Sequence, residues 1–362
     1  MPDLRVLMIT QKVDQDDDVL GFTHTWVNKL AERVAQLHVL ALSVGRHKLH
    51  DNVTLYSMGK EQGAGRLRRF VKFNRVVAPL VLRHQVDLVF VHMAPLYIIL
   101  AAPWTKLARV PMVLWFTHKS VNWKLKLAHW LVDRVVTASS ESFRLPSDKV
   151  VVTGHGIDTE VFKPVEGPRL EQPFTVLSVG RISPIKDYET LIEAADILVN
   201  QRGQRDLRFV VVGDVGTVEQ EEYAHHLRDL VKARRLETYV EFVGSVPYGR
   251  VADYYRQASA FVGTSRTGSL DKAGLEAMAC GLPLLTCNEA FTNVLGDFSD
   301  MLMFDKGNAD DLAEKILDVI EIKTESRLVF ERVLRDIVVQ EHDIERLMNR
   351  ITSVFDGVVN LA

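Results

Sequence analysis

The stretch Ala260–Asn288, AFVGTSRTGSLDKAGLEAMACGLPLLTCN, decides how this chain is read. Ala260–Thr264 is a short apolar run of strand type, and Ser265–Asp271 is a polar turn. Lys272–Cys280 follows as a short helix, and a Gly-Leu-Pro break leads to a second strand, Leu284–Thr286. A polar turn after a strand and before a helix stands at the carboxyl edge of an open α/β sheet, where ligands bind. The free N–H groups that open the helix favour an anion there. Asp271 is placed to cap the helix, and Glu276 lies about one turn inside it.

Working outward, the same arrangement recurs. Phe174–Val179 reads as a strand ending in Gly180-Arg181. It leads through Ile182-Ser183-Pro184-Ile185-Lys186-Asp187 to a helix at Tyr188–Asn200. Phe209–Val212 ends in Gly213-Asp214 before a helix at Glu219–Arg235, then come a strand at Val240–Val243 and a short helix near Pro247–Gln257. Arg181 and Lys186 set two cations at one strand end. Arginine grips phosphate oxygens with a planar fork, and lysine acts as a mobile point charge.

The first half has its own series of strands, at Leu4–Thr10, His38–Leu42, Val53–Met58, Asp87–His92, Met112–Phe116, Arg134–Ala138 and Val150–Thr153. The first of these leads into an acidic loop, Asp14–Asp18, and a helix from about Thr23 to Leu37. Apolar strands alternating with helices predict parallel sheets covered on both faces. Pro164–Pro173 carries three prolines and a glycine and reads as a linker. The expected organisation is therefore 1–163, a linker at 164–173, a second domain at 174–324, and a helical segment at 325–362.

At 362 residues, 47% hydrophobic and 25% charged, the chain suits a two-domain globular enzyme. No apolar run reaches the length that spans a bilayer, and the amino terminus enters a strand directly, so neither anchor nor leader is expected. Cys280 and Cys287 fall in elements expected to be buried, which reads as reduced thiols and a cytoplasmic setting. The net charge of −3 hides an asymmetry. Residues 1–160 hold 21 Lys/Arg against 14 Asp/Glu, and the remainder holds 23 against 33. A basic first half points to an anionic partner.

The segments VGRISPIKDYETLIEAADIL (179–198), VVVGD (210–214), VEFVGSVP (240–247) and LEAMACGLPLLT (275–286) resemble the donor-binding domain of family 4 glycosyltransferases. GHGIDTEVFKP (154–164) is similar to that family's segment before the linker. The resemblance implies the GT-B fold, with two Rossmann-like domains facing a central cleft and a carboxyl-terminal helix returning to the first. It implies a retaining transferase that takes its sugar from a nucleotide diphosphate sugar and needs neither metal nor cofactor.

Transferred by position, Arg181 and Lys186 hold the diphosphate, Glu276 accepts the ribose hydroxyls, and Val243–Val246 meet the base. Gly180 and Gly213 are the strand-end glycines, Gly21 approaches the diphosphate, and His118 contacts the donor sugar. Ser269, Leu270, Asp271 and Lys272 occupy the donor loop, but here the chain departs from the pattern. The family's first glutamate falls at Gly268, and Ser269-Leu270-Asp271 replaces its usual Gly-Phe-Gly. Asp271 then supplies a carboxylate from a shifted position and Lys272 an added phosphate contact, or sugar binding is altered or lost. Gly21 stands between Leu20 and Phe22 where two glycines are usual. Asp16–Asp18 reads as a solvated loop or a metal site, and His155 as a cleft or turn residue.

Two basic stretches bear on the acceptor. On a helix from Gly65 to His84, Arg68, Arg69, Lys72, Arg75 and Arg83 share one sector, with Leu67, Phe70, Val71, Val77 and Val81 on the other side. Lys119, Trp123, Lys126 and Trp130 are expected on one face of the helix after His118. Lys and Trp together suit an anionic membrane interface; the alternative is a solvated basic face with the tryptophans in the core. The acceptor class that fits is a glycan or a lipid-linked sugar. No nucleic-acid-binding module accompanies the basic helix. Rival functions are a non-catalytic nucleotide-sugar-binding protein, or another enzyme of the same fold such as a nucleotide-sugar epimerase or a phosphorylase. A dinucleotide oxidoreductase lacks its G-x-G-x-x-G turn here.

Overall fold

A computed structural model describes residues 3–165 and 173–361. Residues 166–172 of the expected linker lie outside that set. The chain divides into two units, one ending at Gly156 and resuming at Ile344, the other spanning Ile157–Asp343.

The first unit runs β1 (Arg5–Val13), α1 (Phe22–Ala31), β2 (Gln36–Val44), β3 (Val53–Ser57), α2 (Arg66–Leu82), β4 (Leu88–His92) and α3 (Pro95–Ala108). It continues with β5 (Met112–Trp115), α4 (Trp123–Leu131), β6 (Arg134–Thr137) and β7 (Val150–Val152). Its seven strands are all parallel, in the order β3-β2-β1-β4-β5-β6-β7. Strands buried on both faces read as continuous apolar runs, and β4, Leu-Val-Phe-Val-His, is buried at all five positions. On one face Phe73, Val77, Ile98, Ala101, Leu125 and Ala128 bring α2, α3 and α4 onto the sheet. On the other, Trp26, Val27 and Leu30 seat α1. The helix expected to reach Leu37 stops at Ala31, because Asn52 Nδ2 donates to Ala31 O and Val34 O at 2.9 Å and β2 begins at Gln36.

The second unit contains β8 (Phe174–Val179), α5 (Tyr188–Asp196), β9 (Leu207–Val212), α6 (Glu221–Ala233), β10 (Val240–Gly244), α7 (Tyr248–Gln257) and β11 (Ala260–Gly263). After these come α8 (Lys272–Ala279), β12 (Leu284–Thr286), the short α9 (Thr292–Leu295) and α10 (Ser299–Leu302), α11 (Ala309–Glu321) and α12 (Thr324–Glu341). Its five parallel strands are ordered β10-β9-β8-β11-β12. Cys280 and Cys287 are free and buried.

The carboxyl-terminal segment expected as one piece from Glu325 is broken at His342-Asp343. Ile157 N donates to His342 O at 2.7 Å, and Thr159 Oγ1 donates to Asp343 Oδ2 at 2.7 Å, so the break is held by the chain before Phe162. Helix α12 stays in the second unit, where Arg335 donates to Thr159 O, Phe162 O and Ala279 O. Helix α13 (Ile344–Val359) belongs to the first unit. It buries Leu347, Ile351 and Phe355 beside α1, with the Phe355 ring 5.2 Å from that of Phe90. Lys29 of α1 and Arg33, just past its end, both pair with Glu345.

In the first sheet the connections reverse direction between β1 and β4, and there Thr10 Oγ1 lies 3.1 Å from His92 Nδ1. Trp26 and Phe22 enclose the His92 ring at 5.0 and 6.0 Å. His92 Nε2, Thr23 Oγ1, Trp26 Nε1 and Thr137 Oγ1 are buried and have no partner among the described residues. Burial, with a smaller electrostatic effect of nearby His155, depresses the His92 pKa to about 3. The unfolded chain takes up this proton near pH 6.5 and the folded chain does not, so stability is lost as pH falls from there toward 3. His92→Gln should destabilise the protein at pH 8, and the gap to wild type should narrow by about 2 kcal/mol at pH 5. Denaturant unfolding at the two pH values measures this, and an unchanged gap refutes it.

Candidate functional site

The second sheet reverses its connections between β8 and β11, and the loops leaving these two strand ends meet there. Arg266 N donates to Ile185 O at 3.0 Å, and the Thr264 hydroxyl donates to Lys186 O. Arg266 donates twice to Asp187 Oδ2, at 2.9 and 2.6 Å, and Thr190 Oγ1 reaches the same oxygen at 2.8 Å. Asp187 has φ +51 and stands where the β8 loop turns into α5.

The strand ends are held close by glycine. Gly180 N donates to Val212 O, and Gly213 N to Gly244 O, both at 2.9 Å. At Gly213, φ is +137 and an added Cβ would stand 2.0 Å from Gly180 O, so no side chain fits. Gly180 leaves room for Lys186, whose Cε would lie 3.1 Å from a Cβ there.

Lys186 Nζ donates to Asp271 Oδ2 at 2.6 Å, with both side chains about one-fifth exposed. Asp271 Oδ1 also accepts from Ala273 N at 3.3 Å, which makes it the cap of α8. One turn into α8, Glu276 is 4% exposed and accepts three hydrogen bonds. Its Oε1 accepts from Lys272 Nζ at 2.7 Å and Tyr248 Oη at 2.9 Å, and its Oε2 from Tyr255 Oη at 3.1 Å. Burial and the Glu276 charge push both phenols well above their ordinary pKa, so they stay protonated and donate. Lys272 is lowered by burial against the pull of Glu276, and its Nζ lies 4.2 Å from the Tyr248 ring centroid.

Arg181 is exposed and makes no side-chain hydrogen bond among the described residues; it lies beside Gly216. Ser269 Oγ is buried without a partner among the described residues, while Ser269 O accepts from Asn288 Nδ2 at 2.7 Å. Leu270 is buried, and Val243 is half-buried on β10. Gly268 has φ +62, a left-handed conformation that a glutamate there would adopt only under strain.

Sequence reasoning picked out Arg181, Lys186, Gly180, Gly213, Asp271, Lys272 and Glu276, which the fold brings to one sheet edge. It missed Tyr248, Tyr255, Arg266 and Asp187. Two tyrosines seven residues apart in α7 share a helix face, and that spacing was the available signal.

In the first unit, Gly21 is buried at the start of α1 with an ordinary helical φ of −55. The acidic loop before it is tied down: Lys12 pairs with Asp14 and Asp17, Arg46 pairs with Asp16, and Asp17 accepts from Val19 N and Leu20 N. His118 is exposed after β5, and its Nδ1 accepts from Ser120 N at 3.0 Å.

Arg68 is exposed on α2, and Arg69 and Lys72 are half-buried. The apolar side of α2 differs from expectation. Leu67 and Phe70 are 78% and 50% exposed, and burial begins only at Phe73, whose ring stacks on Tyr97 of α3. Lys119 precedes α4 rather than lying on it. Trp123 and Trp130 are 66% and 73% exposed, not in the core, and Lys126 is exposed with them. No described helix is long and apolar enough to cross a membrane.

Residues 161–332 match the family "Glycosyl transferases group 1". A D-inositol 3-phosphate glycosyltransferase of Kineococcus radiotolerans is 35% identical over 150 residues, 38% of this chain and 34% of that protein. A mannosylfructose-phosphate synthase of Agrobacterium fabrum is 28% identical over 182 residues, 45% of this chain and 40% of that one. These matches span about a third to two-fifths of the length of the two relatives. Among solved structures, Anabaena Alr3699/HepE in complex with UDP superposes with a TM-score of 0.76 at 17% identity, over 98% of this chain and 100% of that one. The chain has the GT-B fold, and the match to the group 1 glycosyltransferases lies within its second unit.

Proposed function

We propose that the chain is a retaining glycosyltransferase that moves a sugar from a nucleotide diphosphate sugar to a glycan or lipid-linked acceptor, with no metal or cofactor in the chemistry. One observation carries the reading. The loops laced across the β8/β11 switch point gather Arg181, Lys186, the start of α8 and Glu276 at one sheet edge. The solved neighbour with UDP bound supports a nucleotide donor.

As the bond between sugar and phosphate breaks, negative charge grows on the departing diphosphate. Cations gathered at that place lower the barrier by stabilising this charge. Arg181 and Lys186 fill this role, and the diphosphate takes the acceptor's proton. Glu276 accepts three hydrogen bonds within the fold, and a carboxylate offers about four sites, so Oε2 keeps one for a ribose hydroxyl. Backbone groups of Val243–Val246 serve the base. In this reading Gly21 approaches the diphosphate and His118 contacts the donor sugar. Nucleotide-sugar binding without turnover is the second reading, favoured by the left-handed glycine at 268 where a sugar-binding glutamate is expected.

Arg181→Ala and Lys186→Ala should each lower turnover by about a hundredfold or more. Nucleoside diphosphate release from a panel of nucleotide sugars measures this. Wild-type rates in both variants overturn the transferase reading, and tight binding with no release in the native protein moves the binding reading ahead.

The acceptor side of the reading is a peripheral contact with an anionic membrane at the cytoplasmic face. Helices α2, α3 and α4 pack side by side and contain no Asp or Glu, against five Lys/Arg in α2, one in α3 and two in α4. Leu67, Phe70, Leu107, Trp123 and Trp130 are exposed on the same layer. Bulky apolar groups among an excess of cations fit a lipid interface. The triple variant Arg68→Gln, Arg69→Gln, Lys72→Gln should weaken sedimentation with phosphatidylserine-containing vesicles at least about tenfold, and raising salt should weaken the native protein likewise. Absent or salt-insensitive binding removes the membrane contact.

A further inference from the structure

The cations of the β8/β11 edge are nearly all taken. Lys186 is paired with Asp271, Lys272 with Glu276 and Arg266 with Asp187; Arg181 has no carboxylate partner among the described residues. Four cations against three carboxylates leave little net charge for two phosphates. Of the three carboxylates, Asp187 is locked by Arg266 and Thr190, and Glu276 by Lys272 and two tyrosines. Asp271 is held differently. It sits on Lys186 and on the Ala273 N–H at the start of α8, the two features that would receive a phosphate. Its side chain remains about one-fifth exposed.

We infer that Asp271 is a resident anion. It occupies the diphosphate position in the ligand-free protein, keeps Lys186 and the α8 start in binding geometry, and is displaced from Lys186 when a donor binds. This rests on the nucleotide-sugar reading above. The displaced carboxylate then belongs to a loop whose position 268 carries no acid, so Asp271 is the carboxylate that the loop can turn toward the incoming ligand. Asp271 acts here as a positioning residue that sets donor affinity through Lys186. Ligand-free stability and donor affinity are thereby set against each other, because the pair that stabilises the empty fold must break on binding.

The test uses Asp271→Asn, which keeps a good helix cap but removes the charge, with Asp271→Ser as a second capping variant. UDP, ADP and GDP are titrated calorimetrically into the full-length proteins, and the ligand-free melting temperature is recorded. The expected result is a lower melting temperature together with about tenfold tighter binding of the preferred nucleotide. The gain should vanish in a Lys186→Ala background, where no cation is left to release. A merely structural role would lower stability and affinity together. Unchanged or weaker binding in the charge-free variants, with the native protein still binding, overturns the inference and leaves the nucleotide reading intact. No binding of any diphosphate by any of the proteins overturns both.

Discussion

Both sheets are entirely parallel, and most of the local structure follows from that constraint. A parallel strand must be followed by a crossover, so every loop that leaves a strand's carboxyl end gathers on one edge. Where successive crossovers go to opposite faces, two such loops are left side by side with nothing between them. In the second unit those loops follow β8 and β11. They are fastened to one another by Arg266 N to Ile185 O, by the Thr264 hydroxyl to Lys186 O, and by Arg266 to Asp187. A site on this edge is therefore rigid in its backbone while its longer side chains can still exchange partners.

Burial decides which of those partners are permanent. Glu276 and Lys272 face each other under two phenols, and their separation would strand a charge in a poorly hydrated place. Lys186 and Asp271 lie nearer to water, where hydration offsets part of the cost of parting. The edge thus combines a fixed acid, a fixed framework around Asp187 and an exchangeable pair. A polar cluster of another kind lies at the switch point of the first sheet, where burial keeps His92 neutral beside Thr10.

The outer helices of the first unit show a different balance. Helices α2, α3 and α4 bury enough apolar surface to cover one sheet face, yet leave Leu67, Phe70, Trp123 and Trp130 outside among cations with no acidic neighbours in those helices. Single exposed apolar residues are ordinary, but a layer of helices that carry no acid of their own is a surface with a sign and a chemistry.

The sequence by itself determined the α/β class and the strand ends at Gly180, Gly213 and Gly263–Asp271, because burial on both faces and glycine at strand exits are local necessities. It also placed Arg181, Lys186 and Glu276 on that edge. Tertiary structure decided what local pattern does not contain. Amphipathic spacing says which side of a helix is apolar, not how far its neighbour reaches, so the exposure of Leu67 and Phe70 and the outward tryptophans of α4 depended on where α3 stops covering them. The break at His342-Asp343 depended on Ile157 and Thr159, far away in sequence. The partners of the charged residues were equally non-local. Lys186 meets Asp271 across 85 positions, and Tyr248 meets Glu276 across 28. Charges are chosen one residue at a time, but an ion pair exists only when the fold brings two of them within reach.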